Sequence, residues 1–423
     1  MKILFLSTFE KAGGAARSAH RLYLQLNKLG LDCRMLVQYK QSTDQSVSGP
    51  ESWLTKKIGM LRPYLDGLPL LLYRSRLSPP WSLAWLPNSV SSVVQSFSPD
   101  IIHLHGIGHG FLSLASIVRL SKPLVWTLHD SWAFTGGCHL PGNCTRYINS
   151  CGRCPQLKMR HESDLSRWGW QRKASYWSKL DLTFIAPSQW IADCAQASSL
   201  LNSFPIDFIP NGIDNNHFSP AARRDARDTL NLPQDAIVIL YGASSFMRDE
   251  NKGFAYLESA LTALDSNISK KKLMLLLFGD NHFPKHELAG IPVRSLGLIA
   301  SENLLLSVYR AADLFVLPSL QENLPNTLME AMACGVPCVA FEVGGVGDLI
   351  KHKGNGFLVK AADAGALARG INWMLADGDR RTELSRQSRR TIETNFAIDK
   401  IAELHMAEYE KILSSQREKK DNN

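Results

Sequence analysis

Two stretches of the sequence hold residue types whose spacing can do chemistry. One is PSLQENLPNTLMEAMACGVP, Pro318 to Pro337. A buried strand is expected to end at Pro318, a polar loop to follow, and a helix to begin near Pro325 or Asn326. The free N–H groups of such a helix start, with its dipole, form an anion site suited to phosphate. Glu322 in the loop and Glu330 about a turn into the helix repel phosphate but can accept hydrogen bonds from sugar hydroxyls. An acidic first turn stabilised by the dipole would explain Glu330 alone, not the whole constellation. The other stretch is a cysteine cluster, Cys138, Cys144, Cys151 and Cys154, spaced C-x5-C-x6-C-x2-C. Its closing C-x2-C is a common metal half-site, and four soft ligands favour a structural zinc ion over an iron–sulfur cluster. Disulfides and four free thiols are the other readings.

The elements around these stretches alternate between strand and helix. Lys2–Ser7 is apolar throughout, as a strand buried on both faces should be. Gly13 and Gly14 lead into a helix over Ala15–Leu29 that stops at Gly30, and Cys33–Val37 is the next strand. Further strands are expected at Ile101–Leu104, Leu124–Leu128 and Leu182–Ala186, with residues 41–98 irregular but partly helical. A second series follows Asn211-Gly212-Ile213-Asp214. It has strands at Ala236–Tyr241, Leu273–Phe278, Leu314–Leu317, Pro337–Phe341 and Gly356–Val359, and helices at Lys252–Leu264, Glu302–Ala311 and Thr327–Ala333. Residues 363–413 read as helical throughout, and Ser414–Asn423 as a frayed polar tail. The fold class is therefore α/β, with two Rossmann-like doubly wound domains facing across a cleft. The expected boundaries are 1–205, carrying the cysteine insertion 138–154, then 206–396, with 397–423 returning to the first domain.

Composition bounds the rest. A chain of 423 residues exceeds one ordinary core, and 45% apolar with 20% charged residues is globular. The net charge of +8 suits a nucleotide diphosphate, a lipid phosphate or a membrane surface. No nucleic-acid-binding motif accompanies it, so nucleic acid is not an expected partner. No apolar run is long enough to span a bilayer. The run Ile3–Leu6 lacks a cleavage pattern, so a cytoplasmic protein without disulfides is expected, at most peripheral to a membrane. Two stretches interleave basic and aromatic residues: Trp53, Lys56, Lys57, Arg62, Arg74, Arg76, Trp81 and Trp85, then Lys158, Arg160, Arg167, Trp168, Trp170, Arg172, Lys173 and Trp177. Such helices can lie on an anionic bilayer, though a solvated face is the commoner cause.

Taken in order, several motifs resemble the retaining glycosyltransferases of family 4, which have the GT-B fold. The stretch from Glu322 to Glu330 resembles their E-x7-E motif, and Gly13-Gly14 their first glycine loop. Asp100-Ile-Ile-His103-Leu-His105 and Thr127-Leu128-His129 resemble their two histidine-bearing strand ends. Pro187-Ser188 and Pro210–Asp214 resemble the entry to the second domain, and Lys252-Gly253 the donor lysine. The His129-Asp130 segment followed by cysteines is similar to enzymes of colanic-acid and related exopolysaccharide synthesis.

The resemblance implies a metal-independent transfer of a hexose-type sugar from a nucleotide-diphosphate sugar to a glycan or lipid-linked acceptor, at the inner face of the membrane. It implies that Glu330 accepts from the ribose, Glu322 holds the sugar, and the amides of Leu324, Pro325, Asn326 and Thr327 line the donor (proline contributing backbone without an N–H). Lys252 would offset phosphate charge on the leaving group, the Gly14 amide would approach the diphosphate, and His129 would lie near the reacting carbon. No catalytic cofactor is implied. The family's usual arginine is displaced: Arg248 fills its role from the loop, or the role is absent. His103 and His105 read as core histidines, His105 being the nearer to the cleft. Asp130 either orients His129 or caps a helix, and Gly344-Gly345 either make a turn or line the cleft. The rival readings are a sugar-phosphate synthase or phosphorylase, a nucleotide-sugar epimerase, and a degenerate protein that only binds.

Overall fold

The computed structural model describes residues 1–77, 80–88, 90–281 and 283–421, so the last two residues of the expected polar tail lie outside it. The chain divides into two units, residues 1–211 with 401 onward, and Gly212–Lys400. Each is built on one seven-stranded sheet.

The first sheet runs β1 (Lys2–Phe9), β2 (Asp32–Tyr39), β3 (Val47–Ser48), β4 (Ile101–Leu104), β5 (Leu124–Thr127), β6 (Leu182–Ala186) and β7 (Ile206–Phe208) in chain order. In space the order is β3-β2-β1-β4-β5-β6-β7, all parallel. Strand order reverses between β1 and β4, so the loops that follow these two strands leave the carboxyl edge side by side. This is where open α/β sheets place ligands. The Thr8 N–H donates to the Gly106 carbonyl at 3.0 Å, tying the end of β1 to the loop after β4.

The second sheet holds β8 (Ile237–Gly242), β9 (Leu273–Phe278), β10 (Glu287–Leu288), β11 (Ile291–Ser295), β12 (Leu314–Leu317), β13 (Cys338–Phe341) and β14 (Phe357–Val359). Its order is β10-β11-β9-β8-β12-β13-β14, parallel except for the β10–β11 hairpin. Here the reversal falls between β8 and β12. Apolar cores cover both faces of each sheet, which explains why the central strands carry unbroken apolar runs rather than alternation.

Several expectations need correction. The short strands β3, β7, β10 and β11 were not anticipated; each is too short or too exposed to carry an apolar signature. Because β7 pairs with β6, the first unit runs past residue 205 to 211. The helix expected over Lys252–Leu264 begins at Phe254 and ends at Thr262, because Gly253 takes a left-handed φ of 68°. The continuous helix over 363–413 is three: Ala364–Ala376, Gly378–Asn395 and Ile398–Asp421. Asp377 makes the first break; its extended backbone interrupts the helix and its carboxylate caps the next by accepting from Arg380 N.

The helix Ile398–Asp421 packs Ile401, Ala402 and Tyr409 into the core behind β1 and β2. It meets a buried row of histidines there. His103 and His105 sit two apart along and just beyond β4, so they share a face. His103 Nδ1 is 2.7 Å from Tyr409 Oη and its Nε2 2.8 Å from Thr127 Oγ1. His105 lies parallel to the Phe5 ring, centroids 5.2 Å apart. His405, one helical turn before Tyr409, is buried with Nδ1 unpartnered.

Burial holds His103 and His105 well below the usual imidazole range and lowers His129 to about 4 and His405 to about 3. All four are neutral in the fold near pH 7. The unfolded chain takes up protons near pH 6.5 while the folded chain does not, so acid favours unfolding. This stability is present above pH 6.5 and is lost as pH falls toward the folded values. Replacing His405 by Leu removes one such proton. The variant's unfolding free energy is expected to gain about 2 kcal/mol on the wild type between pH 7 and pH 5. Denaturant titrations showing the same pH slope for both proteins would contradict a neutral buried His405.

Candidate functional site

In the second unit the site is set by two loops at the reversal point. The loop after β8 carries Arg248 and Lys252, and the loop after β12 carries Glu322 and leads into the helix Asn326–Ala333. Hydrogen bonds clamp them together. Leu320 N donates to the Asn251 carbonyl at 2.8 Å, and Asn251 Nδ2 to the Gln321 carbonyl at 3.0 Å. Tyr241 Oη, reaching from β8, donates to the Lys252 carbonyl at 3.1 Å. Gly253 permits the approach: a Cβ there would lie 1.8 Å from the Pro318 carbonyl oxygen, besides requiring a left-handed φ.

The clamp puts Lys252 Nζ 2.8 Å from Glu322 Oε1, both side chains mostly shielded. The Glu322 carboxylate raises the lysine above its usual value despite burial, so it stays charged. Beyond it the helix Asn326–Ala333 begins with Pro325 at the cap, whose own side chain makes no capping bond. Its N–H donors and dipole thus give the positive end foreseen for an anion. Leu324 and Pro325 are buried, while Asn326 and Thr327 are half-buried at the rim.

Glu330 is fully buried and accepts a hydrogen bond from Tyr309 Oη at 2.8 Å. Tyr309, on the helix Glu302–Ala311, went unnoticed in the sequence because it reads as one more apolar-face residue. Gly345 N donates to the Glu322 carbonyl at 3.4 Å, which brings the Gly344-Gly345 turn to the site. Arg248 is exposed, its N–H bonded to the Ser245 carbonyl, and joins none of these contacts.

In the first unit, Gly14 opens the helix Gly14–Lys28 directly after Gly13, whose φ is 85°. His129 follows β5, and its Nε2 lies 2.9 Å from His105 Nδ1. One ring must donate and the other accept, which fits two neutral imidazoles. A cavity beside them is lined by Gly106, Gly108, Trp126, His129, Asp130 and His139. The partner of His129 is therefore His105, which the sequence suggested was the nearer to the cleft but assigned to the core. The Asp130 carboxylate meets His139 Nδ1 at 2.8 Å and, as the expected cap, accepts from Trp132 N at 2.8 Å. No sequence spacing marks His139, because it lies inside the cysteine insertion.

The four cysteines line one cavity with Thr135, Tyr147 and Ser166. Desolvation pushes the Cys138 thiol up, and those of Cys151 and Cys154 to about 11. Cys151, Gly152 and Arg153 all have positive φ, so the C-x2-C segment is a tight knuckle. All eight cysteines are free thiols. Among the described residues, however, no group of three or more His, Cys, Asp and Glu is placed to hold a metal ion. The expected zinc site is thus assembled as a shared pocket and not as a coordination shell. Next to it Lys173 is buried, its ammonium donating to the carbonyls of Trp132 and Thr135 and lying 3.9 Å over the Trp132 ring. Burial lowers it to about 7. The second basic-aromatic stretch is partly core: Lys173 and Trp177 are buried and Arg172 donates to the Leu83 carbonyl, while Lys158, Arg160 and Trp168 are exposed. Trp81 of the first stretch is buried too, bonded to Gln156.

Both halves of the chain are similar to known proteins. Residues 12–217 match the family model described as Glycosyltransferase Family 4, and residues 237–377 that of Glycosyl transferases group 1. A protein of Escherichia coli K12 named for a colanic acid biosynthesis glycosyl transferase is 28% identical over 62% of this chain and 65% of its own. A D-inositol 3-phosphate glycosyltransferase of Xylanimonas cellulosilytica is 32% identical over 69% of this chain and 67% of its own. The matches to the first curated relatives span between about half and two thirds of those proteins' length. Among solved structures, Anabaena HepE in complex with UDP-glucose is 20% identical, with a TM-score of 0.65 over 98% of this chain and 100% of that one. That likeness shows the fold, two Rossmann-like units of the GT-B class. With both halves matched in family order and a relative 32% identical along most of its length, the chain belongs to glycosyltransferase family 4.

Proposed function

We propose that the protein transfers a hexose-type sugar from a nucleotide-diphosphate sugar onto a glycan or lipid-linked saccharide of a cell-surface polysaccharide, with retention at the anomeric carbon and without a catalytic metal. The observation that carries this reading is the shielded Lys252–Glu322 pair beside the proline-led start of the helix Asn326–Ala333. A cation and a helix N-terminus suit a diphosphate leaving group, and the adjoining carboxylate suits sugar hydroxyls. The names of the relatives agree in class, one being a colanic acid glycosyl transferase, and the HepE structure holds UDP-glucose.

In this reading the departing diphosphate gains negative charge as the glycosidic bond breaks, and Lys252 offsets it. Glu330, with Tyr309 holding one oxygen, accepts from the ribose. Glu322 orients the sugar once Lys252 turns to phosphate. The first unit supplies the Gly14 amide and His129, whose neutral ring offers a donor or an acceptor but no charge near pH 7. A lipid-linked acceptor sets the work at the cytoplasmic face of a membrane.

Calorimetry tests donor binding. Glu330→Gln and Lys252→Ala are each expected to weaken nucleotide-diphosphate binding by about 1–3 kcal/mol, the range of a charge-assisted hydrogen bond. Wild-type affinity in both would remove the site.

Turnover tests the chemistry. Glu322→Ala and His129→Ala are expected to lose far more transfer than nucleotide affinity, since their contacts are with the sugar. Near-normal turnover in both would reject the roles. An α-configured product from an α-linked donor marks retention, and release of free sugar or an epimer marks the rival chemistries.

We extend the reading to a structural zinc ion, which would draw the four thiols of Cys138, Cys144, Cys151 and Cys154 inward from the shared pocket. Elemental analysis of protein purified without chelator is expected to find one zinc per chain. Replacing Cys151 and Cys154 by Ser should then lower both zinc content and melting temperature, while brief chelator treatment leaves transfer intact. A metal-free chain that is fully stable and active rejects the ion.

A further inference from the structure

The helix Trp53–Asp66 is built the wrong way round for a globular surface. An ordinary surface helix buries an apolar stripe and shows polar residues to water. Here Gly59, Arg62 and Asp66, at i, i+3 and i+7, form the face turned inward. The Gly59 carbonyl accepts from Tyr39 Oη at 2.8 Å. Arg62 donates to the carbonyls of Gly110 at 2.6 Å and Pro87 at 3.0 Å. Asp66 accepts from Leu83 N at 2.9 Å, and its own carbonyl from Trp85 Nε1 at 3.1 Å. The helix is thus tied down by hydrogen bonds along a polar seam.

Its apolar residues face out. Trp53 is 73% exposed and Tyr64 76%, and in the 3-10 turn that follows, Leu68–Leu72, Leu72 is 85% exposed. Contiguous exposed apolar surface of this kind marks an interaction site. The charges around it are mostly basic, with Glu51 just before the helix the exposed exception. Lys56, Lys57 and Arg74 are exposed, and Asp66, the one acidic residue between positions 53 and 77, is buried in the seam. No helix among the described residues is long and apolar enough to cross a membrane.

We propose that the segment Trp53–Arg76 is the surface by which the first unit lies on an anionic lipid bilayer, its apolar side chains entering the acyl boundary and Lys56, Lys57 and Arg74 meeting lipid phosphates. The surface is a convex helix rather than a groove, and its predominantly basic rim complements a sheet of anionic headgroups. The proposal deepens the membrane-side acceptor reading above by naming the contact. It is measured without donor or acceptor, so its failure leaves the transferase reading standing.

The test is co-sedimentation of the full chain with vesicles of phosphatidylcholine, and of phosphatidylcholine mixed equally with phosphatidylglycerol. The wild type is expected to pellet with the mixed vesicles, and less so as salt rises. Both the double variant Tyr64→Glu with Leu72→Glu and the double variant Lys56→Glu with Lys57→Glu are expected to bind about tenfold more weakly or worse, with unchanged melting temperature and nucleotide-diphosphate affinity. Three results overturn the proposal: no binding to the mixed vesicles, equal binding to both compositions, or a wild-type dimer in vesicle-free sedimentation that Tyr64→Glu with Leu72→Glu converts to monomer. The last would assign the face to a second copy of the chain.

Discussion

Everything in the second unit's site depends on one close passage of backbone. Gly253 runs so near the Pro318 carbonyl that no side chain fits between them. The loop after β8 is thereby pinned to the loop after β12, and Lys252 meets Glu322 at hydrogen-bond distance. A partly desolvated ion pair of this kind is strong only while both partners are present. Such a pair holds the lysine charged and aimed before any ligand arrives, and leaves it a second, anionic partner to turn to. A diphosphate would thus compete with a carboxylate for one cation rather than recruit a free one.

The first unit solves a different problem. Five polar rings or hydroxyls, from Tyr409 through His103 to Thr127 and from His105 to His129, lie in or against its core. Neutral imidazoles tolerate that setting because each can donate with one nitrogen and accept with the other. The cost falls on any charged form, and so the same rings that are silent near neutrality penalise the fold in acid. His129 inherits its orientation from this row, since the ring that fixes it, His105, is itself stacked on Phe5.

How much of this the sequence made legible follows from what each signal is made of. The strands β1, β8, β9 and β12 were plain because burial on both faces leaves an uninterrupted apolar run. The start of the helix Asn326–Ala333 was plain because its proline and polar loop are local. The strands β3, β7, β10 and β11, at or next to a sheet edge, are two to five residues long and owe their form to a neighbour's ladder, which leaves no mark in their own composition. The same holds within the site. Lys252 and Glu322 are singled out by their own motifs, but Tyr309 serves Glu330 from a helix twenty-one residues upstream, and Asp130 also serves His139, nine residues on. Pairings across the fold are decided by topology, and one sequence states topology only indirectly. The cysteine spacing shows the same limit: it foretold that four thiols would gather, not how closely.

The helix Ile398–Asp421 makes the first unit discontinuous, with the whole second unit inserted between β7 and the residues that finish its core. Tyr409 and His103 touch across 306 positions of chain. During synthesis the second unit, Gly212–Lys400, is made entire before the residues that cover the inner face of β1 and β2. Domains fold largely as units while the chain grows. The sheet that is made first must therefore wait, its histidine row open to water and to chaperones, for a helix that is made after everything else it contacts. The half bearing Lys252 and Glu322 is contiguous in the chain, and the half that begins first is the one whose core is completed last.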